Sequence, residues 1–140
     1  MIMLAINYKN LLTQMYPEIP KIFNLETAAY LYGSTRANVS IATFYVPASV
    51  DFLSSKYLVG ITVADFEQIP SETRGDFIIT TPVRTLQDLF NYTELVDPQV
   101  AFDYISWFSA SQKLDPRDYL EPRYHEETSK ILKEGWSHGY

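Results

Sequence analysis

Residues 80–89, which read Thr80-Thr81-Pro82-Val83-Arg84-Thr85-Leu86-Gln87-Asp88-Leu89, constrain the fold of this chain more than any other stretch. The apolar run Phe77-Ile78-Ile79 leads straight into it, so a strand must hand over to a helix within a few residues. Thr81 suits a helix N-cap, and Pro82 suits the first helical position, where its missing N–H costs nothing. Arg84 and Asp88 then lie four residues apart on one helical face, while Leu86, Leu89 and Phe90 supply apolar packing on the others. Two roles remain open for the pair. Arg84 and Asp88, with Thr81 beside them, can form part of a recognition surface at the helix start, where Arg84 offers its planar fork to a partner carboxylate. Alternatively, Arg84 and Asp88 pin the helix to the sheet edge.

At 140 residues and 46% apolar composition, the chain encloses one core. The early prolines Pro17 and Pro20 mark residues 1–22 as an N-terminal arm, with a short helix over residues 7–15, and leave residues 23–140 as a single domain. Residues 24–33 read as a helix with Asn24 as N-cap, Glu26 near its positive end and Gly33 as its stop. Strands are expected over residues 41–46, 57–63 and 77–79, and a short one over 66–69, with Arg74-Gly75-Asp76 as a turn. A short helix over residues 49–53 would cross between the first two strands.

After the motif helix, Asp97-Pro98 and Asp115-Pro116 repeat the cap-plus-proline start, the latter with Asp118 as a capping-box carboxylate. A last helix spans residues 123–134 and turns Tyr124, Thr128 and Ile131 inward, before a loose tail over residues 135–140. The fold class is thus α/β in the mixed α+β sense: a small sheet of three to four strands packed against helices, with a helical C-terminal third.

The charge distribution narrows the partners. Between Tyr57 and Asp103 only Arg74 and Arg84 stand against eight acids, which is the whole of the net charge of −6. Phosphate backbones are held by clustered Lys and Arg, and no such cluster is present, which argues against nucleic acid as a partner. An acidic surface suits a basic protein partner or simply keeps the domain soluble. The apolar start, Met1 to Ile6, is too short for a secretion signal or a membrane span, and there is no cysteine, so a cytoplasmic protein is expected.

Candidates for catalysis are few. His125-Glu126-Glu127-Thr128-Ser129 starts like a zinc-protease motif, but that chemistry needs a second His where Ser129 stands. No glycine-rich phosphate loop and no Gly-x-Ser-x-Gly elbow occurs. Asp115 with Asp118, and Glu126 with Glu127, are accounted for by capping and solvation. No cofactor, metal or catalytic residue is assigned. An enzyme site built from carboxylates and His125 is one alternative, and a nucleic-acid-binding regulator using the helices after Asp97 is another. Tyr30 and Arg36 form a further candidate surface near the end of the first long helix, with core packing the favoured alternative for Tyr30.

Three segments together resemble the AbiEi-like antitoxins of bacterial type IV toxin–antitoxin and abortive-infection systems: Glu26-Thr27-Ala28-Ala29-Tyr30-Leu31-Tyr32-Gly33, the strand ending Tyr45-Val46-Pro47, and Thr80 through Leu89. The resemblance covers residues 23–121 and implies a non-enzymatic cytoplasmic antitoxin that counteracts a nucleotidyltransferase-like toxin. Fuller members carry an N-terminal winged helix that binds DNA. The residues before Phe23 do not match one, so the resemblance is to the antitoxin domain alone.

Overall fold

The computed structural model describes residues 12, 16–35, 37, 39, 41–55 and 57–134. The expected helix over residues 7–15, apart from Leu12, and the tail over residues 135–140 lie outside the described residues. Leu12 is buried in the main core.

A five-stranded mixed sheet organises the fold, one or two strands more than expected. Its strands are β1 (Ile22–Phe23), β2 (Ala42–Pro47), β3 (Leu58–Val63), β4 (Ser71–Arg74) and β5 (Phe77–Thr80), in the spatial order β3-β2-β1-β5-β4. The helices are α1 (Leu25–Tyr32), α2 (Pro82–Asn91), α3 (Pro98–Gln112) and α4 (His125–Lys133). β1 has only two residues, too few to show a period of two in the sequence. It nevertheless sits mid-sheet, antiparallel to β2 and parallel to β5.

β4 and β5 form a hairpin whose Arg74↔Phe77 register leaves Gly75-Asp76 as a two-residue loop. Gly75 takes φ +61°, a left-handed conformation that a tight hairpin requires and glycine adopts without a Cβ penalty. The expected strand over residues 66–69 is instead a 3₁₀ turn, Phe66–Gln68, which delivers Ile69 to a small buried cluster with Ile22 and Tyr45.

β2 and β3 are parallel neighbours joined by residues 48–57, and the short helix expected there is not formed. Phe52 packs edge-on against Phe44, with centroids 5.1 Å apart, and lies directly over Gly60. From the same segment, Ser54 Oγ accepts from Gly60 N (3.0 Å), and Ser55 N donates to Leu58 O (2.8 Å). Side-chain and backbone groups of the connection thereby cover part of β3's outer edge, which carries no charged residue to discourage strand pairing. The opposite edge, β4, is polar along its length.

The proline starts behave differently. Thr81 Oγ1 accepts Arg84 N (3.3 Å) and Asp97 Oδ1 accepts Gln99 N (2.9 Å), and both open true helices. Asp115 Oδ1 likewise accepts Arg117 N, but only a 3₁₀ turn, Pro116–Tyr119, follows. There Asp118 contributes its backbone N–H, donated to Asp115 O, rather than a capping carboxylate. Asn24 stands at the N-cap position of α1, yet its side chain makes no cap bond; its backbone oxygen accepts from Ala28 N and Thr43 Oγ1. The last helix begins at His125, after a 3₁₀ turn over Pro122–Tyr124, and Thr128 and Ile131 face inward as expected while Tyr124 is half-buried.

β2 is buried from Ala42 to Val46. Thr43 and Tyr45 share one face of the strand, where they meet Thr27 of α1 and Asp88 of α2, while Ala42, Phe44 and Val46 join the larger core.

The close approach of Phe52 makes Gly60 a test of this packing. A Cβ at position 60 would lie 2.5 Å from the Phe52 ring and 3.2 Å from Phe44. Overpacking typically costs about 1–3 kcal/mol, which outweighs the roughly 0.5–1 kcal/mol gained by stiffening a strand glycine. Gly60→Ala should therefore lower stability in urea unfolding. In a Phe52→Ala background the same change should become neutral or stabilising.

Candidate functional site

The Thr81-Pro82 corner starts α2 directly from β5, and this sets which face of the helix looks back at β2. Arg84 Nε donates to Asp88 Oδ1 at 2.9 Å. Tyr45, at the middle of β2, donates its hydroxyl to Asp88 Oδ2 at 2.8 Å. The Arg84 guanidinium lies 5.4 Å from the centroid of the Tyr45 ring, with Nη2 reaching the phenol oxygen at 3.5 Å. Both Asp88 oxygens are thereby engaged. Its side chain is 3% exposed and that of Arg84 27%. The pair fastens the helix to the sheet, but through Tyr45 of β2, an inner strand, rather than at the sheet edge.

The electrostatics follow from burial. Desolvation pushes the Asp88 carboxyl above its ordinary range, and the Arg84 charge and the bonds from Tyr45 and Arg84 only partly offset it. Burial, reinforced by the Asp88 charge, drives the Tyr45 phenol far up. Burial also works against the Arg84 cation, but the Tyr45 hydrogen bond and the Asp88 charge outweigh it and raise its pKa.

Around this linkage the junction is secured by a chain of hydroxyls. Tyr32 donates to Thr80 O (2.7 Å), Thr80 and Thr85 hydroxyls share a 2.6 Å bond, and Tyr104 donates to Pro82 O (2.8 Å). α1, β5, α2 and α3 all meet at residues 80–85.

The remaining sequence candidates are dispersed. Tyr30 is half-buried and packs against the core, and Arg36 lies outside the described residues. His125 Nε2 is bonded to Leu120 O at 2.9 Å. Asp115 is clamped by Arg117, whose side-chain bonds hold its carboxyl below the ordinary range, and Arg117 Nη1 also donates to Ser129 Oγ (2.9 Å). Ser129, at the position where a zinc helix would need its second His, is thus part of a tie between the 3₁₀ turn and α4. Glu126 and Glu127 are exposed in the first turn of α4. Among the described residues, no group of three or more His, Asp or Glu converges as metal ligands would.

A groove missed in the sequence lies elsewhere. It encloses about 330 Å³ between the first turn of α1, the starts of β2 and β3, and the link from α2 to α3. Glu26, Glu94 and Asp97 supply carboxylates, and Ile41, Val59 and Leu95 supply apolar wall. Glu26 Oε2 accepts Asp97 N at 2.6 Å, which joins two residues 71 positions apart. Burial raises the Glu26 carboxyl, and the Asp97 charge adds to this, while the Asp97 N–H bond opposes it. Individually these residues read as a helix-dipole acid, a surface acid and an N-cap, so only the folded chain reveals them as one wall.

Because Asp88 holds its proton more readily in the folded state, the stability it contributes declines as pH rises between its ordinary and its folded pKa. Arg84→Met removes the opposing charge and stretches that interval upward. The variant should lose about 3 kcal/mol at neutral pH, the low end for a broken buried pair because Arg84 reaches solvent. The deficit should shrink as the pH is lowered and Asp88 takes up its proton, as urea unfolding across a pH series would show. No protein-family model matches the chain, and no curated protein matches it.

Proposed function

We propose that this chain is a non-enzymatic, antitoxin-like interaction domain of a bacterial type IV toxin–antitoxin or abortive-infection system. It works in the cytoplasm by binding another protein, a nucleotidyltransferase-like toxin being the partner that the resemblance of residues 23–121 implies. The observation that carries this reading is how charge divides between inside and outside. Arg84 is spent on Asp88 and Tyr45, and Asp103 is buried against Thr35 and Gln99. Asp65, Glu67, Asp76, Glu94 and Asp97 are left exposed, with Glu72 half-exposed, and Arg74 is the one cation among the exposed residues from Tyr57 to Asp103.

Such a surface repels a phosphate backbone and steers a basic protein toward contact, so association should be fast at low salt and slow as salt is added. The test is co-expression with a nucleotidyltransferase-like toxin. Restored growth, with the two proteins recovered together, is the expected result. Failure to restore growth together with failure to associate would contradict the reading.

A further inference from the structure

We propose that the groove bounded by Glu26, Glu94 and Asp97 is where this domain takes a basic, extended segment of its protein partner. The inference rests on the interaction-domain reading and specifies its surface. At about 330 Å³ the groove is near the lower end of the roughly 300–1,000 Å³ typical of ligand pockets, enough for one or two side chains rather than a cofactor.

Its composition selects the occupant. Ile41 and Leu95 of the lining are 40% and 41% exposed, large apolar side chains left at the surface. Glu94 and Asp97 are exposed beside them, and among the described residues that line the groove none is a cation. A purely apolar segment would strip water from these carboxylates and give nothing in return. An acidic segment or a phosphate would be repelled. A lysine or arginine satisfies both surfaces, because its methylene stem lies along Ile41 and Leu95 while its cationic head reaches the carboxylates.

The groove is also held open from within. Glu26 is tied to the backbone of Asp97, and Asp97 Oδ1 caps α3 through Gln99 N, so the wall is fixed by the same bonds that start a helix. Thr43, on the floor, is anchored by Thr27 and by the Asn24 carbonyl. A binding segment therefore meets an ordered surface and bears most of the ordering cost itself.

The probe is a synthetic hexapeptide alternating lysine with leucine, titrated into the full chain and followed by amide chemical shifts, with a glutamate–leucine peptide as control. The expected result is saturable binding at about 20 mM salt, with shifts concentrated at Ile41, Val59 and Leu95, and marked weakening at about 300 mM as the charges are screened. Glu94→Lys should weaken binding about tenfold or more while leaving the melting temperature unchanged, since Glu94 is exposed in a short turn. Equal binding of the control peptide, shifts centred away from the groove, or indifference to Glu94→Lys would overturn the proposal. Association with a toxin-like partner that survives Glu94→Lys unchanged would overturn the groove alone and leave the interaction reading standing. Saturable peptide binding by a chain that neither rescues nor associates would do the reverse.

Discussion

The phenol of Tyr45 on the Asp88 carboxylate is the contact on which the arrangement of sheet and helices depends. β2 lies near the middle of the sheet, and α2 reaches it across the strand order rather than along the chain, with 43 residues separating the two side chains. A carboxylate buried to this degree is costly unless it is bonded, and here each oxygen has a donor. The geometry admits little alternative: moving α2 along its axis would strand Asp88 without Tyr45, and rotating it would strand Arg84. The hydroxyl chain through Tyr32, Thr80, Thr85 and Tyr104 reinforces the same joint with neutral bonds.

That joint takes one cation and one acid out of the surface together. The chain has few cations in its middle third, and the fold draws one of them inward. What remains outside is an acidic face interrupted by single apolar residues, with a groove where the α2–α3 link passes the N-terminus of α1. Arg84 and Asp88 leave the surface as a neutral pair, so the face stays acidic because its remaining acids outnumber Arg74. Arg74 partly compensates at the opposite sheet edge, where its guanidinium stacks over Tyr32 at 5.1 Å.

Much of this was legible in local sequence, and the reasons for the rest are specific. The Thr81-Pro82 start, the Arg84–Asp88 spacing and the Asp97-Pro98 cap are short-range devices, and each formed where it was read. The mixed α+β class and the helical C-terminal third follow from the same kind of signal. β1 was invisible because two residues carry no periodicity, and β4 because Ser71-Glu72-Thr73-Arg74 is polar on both faces of an edge strand. The segment around Phe66 resembled a strand by composition but closed as a 3₁₀ turn through Gln68 N on Asp65 O. Residues 49–53 have helix-compatible composition, but Phe52 docks over Gly60 and the serines bond the edge of β3. Tyr45 itself looked like an ordinary strand aromatic, since nothing near it in sequence names a partner 43 residues away. The groove was hidden for the same reason, its carboxylates arriving from two distant segments.

A double-mutant cycle between Tyr45→Phe and Asp88→Asn, read by urea unfolding at neutral pH, isolates the bond that the whole arrangement turns on. Two residues in direct contact within one buried network should show a coupling energy of about 1–3 kcal/mol, with the double variant less destabilised than the two single losses added together. Strictly additive losses would contradict the account, since they would mean that the strand and the helix hold their places without this contact.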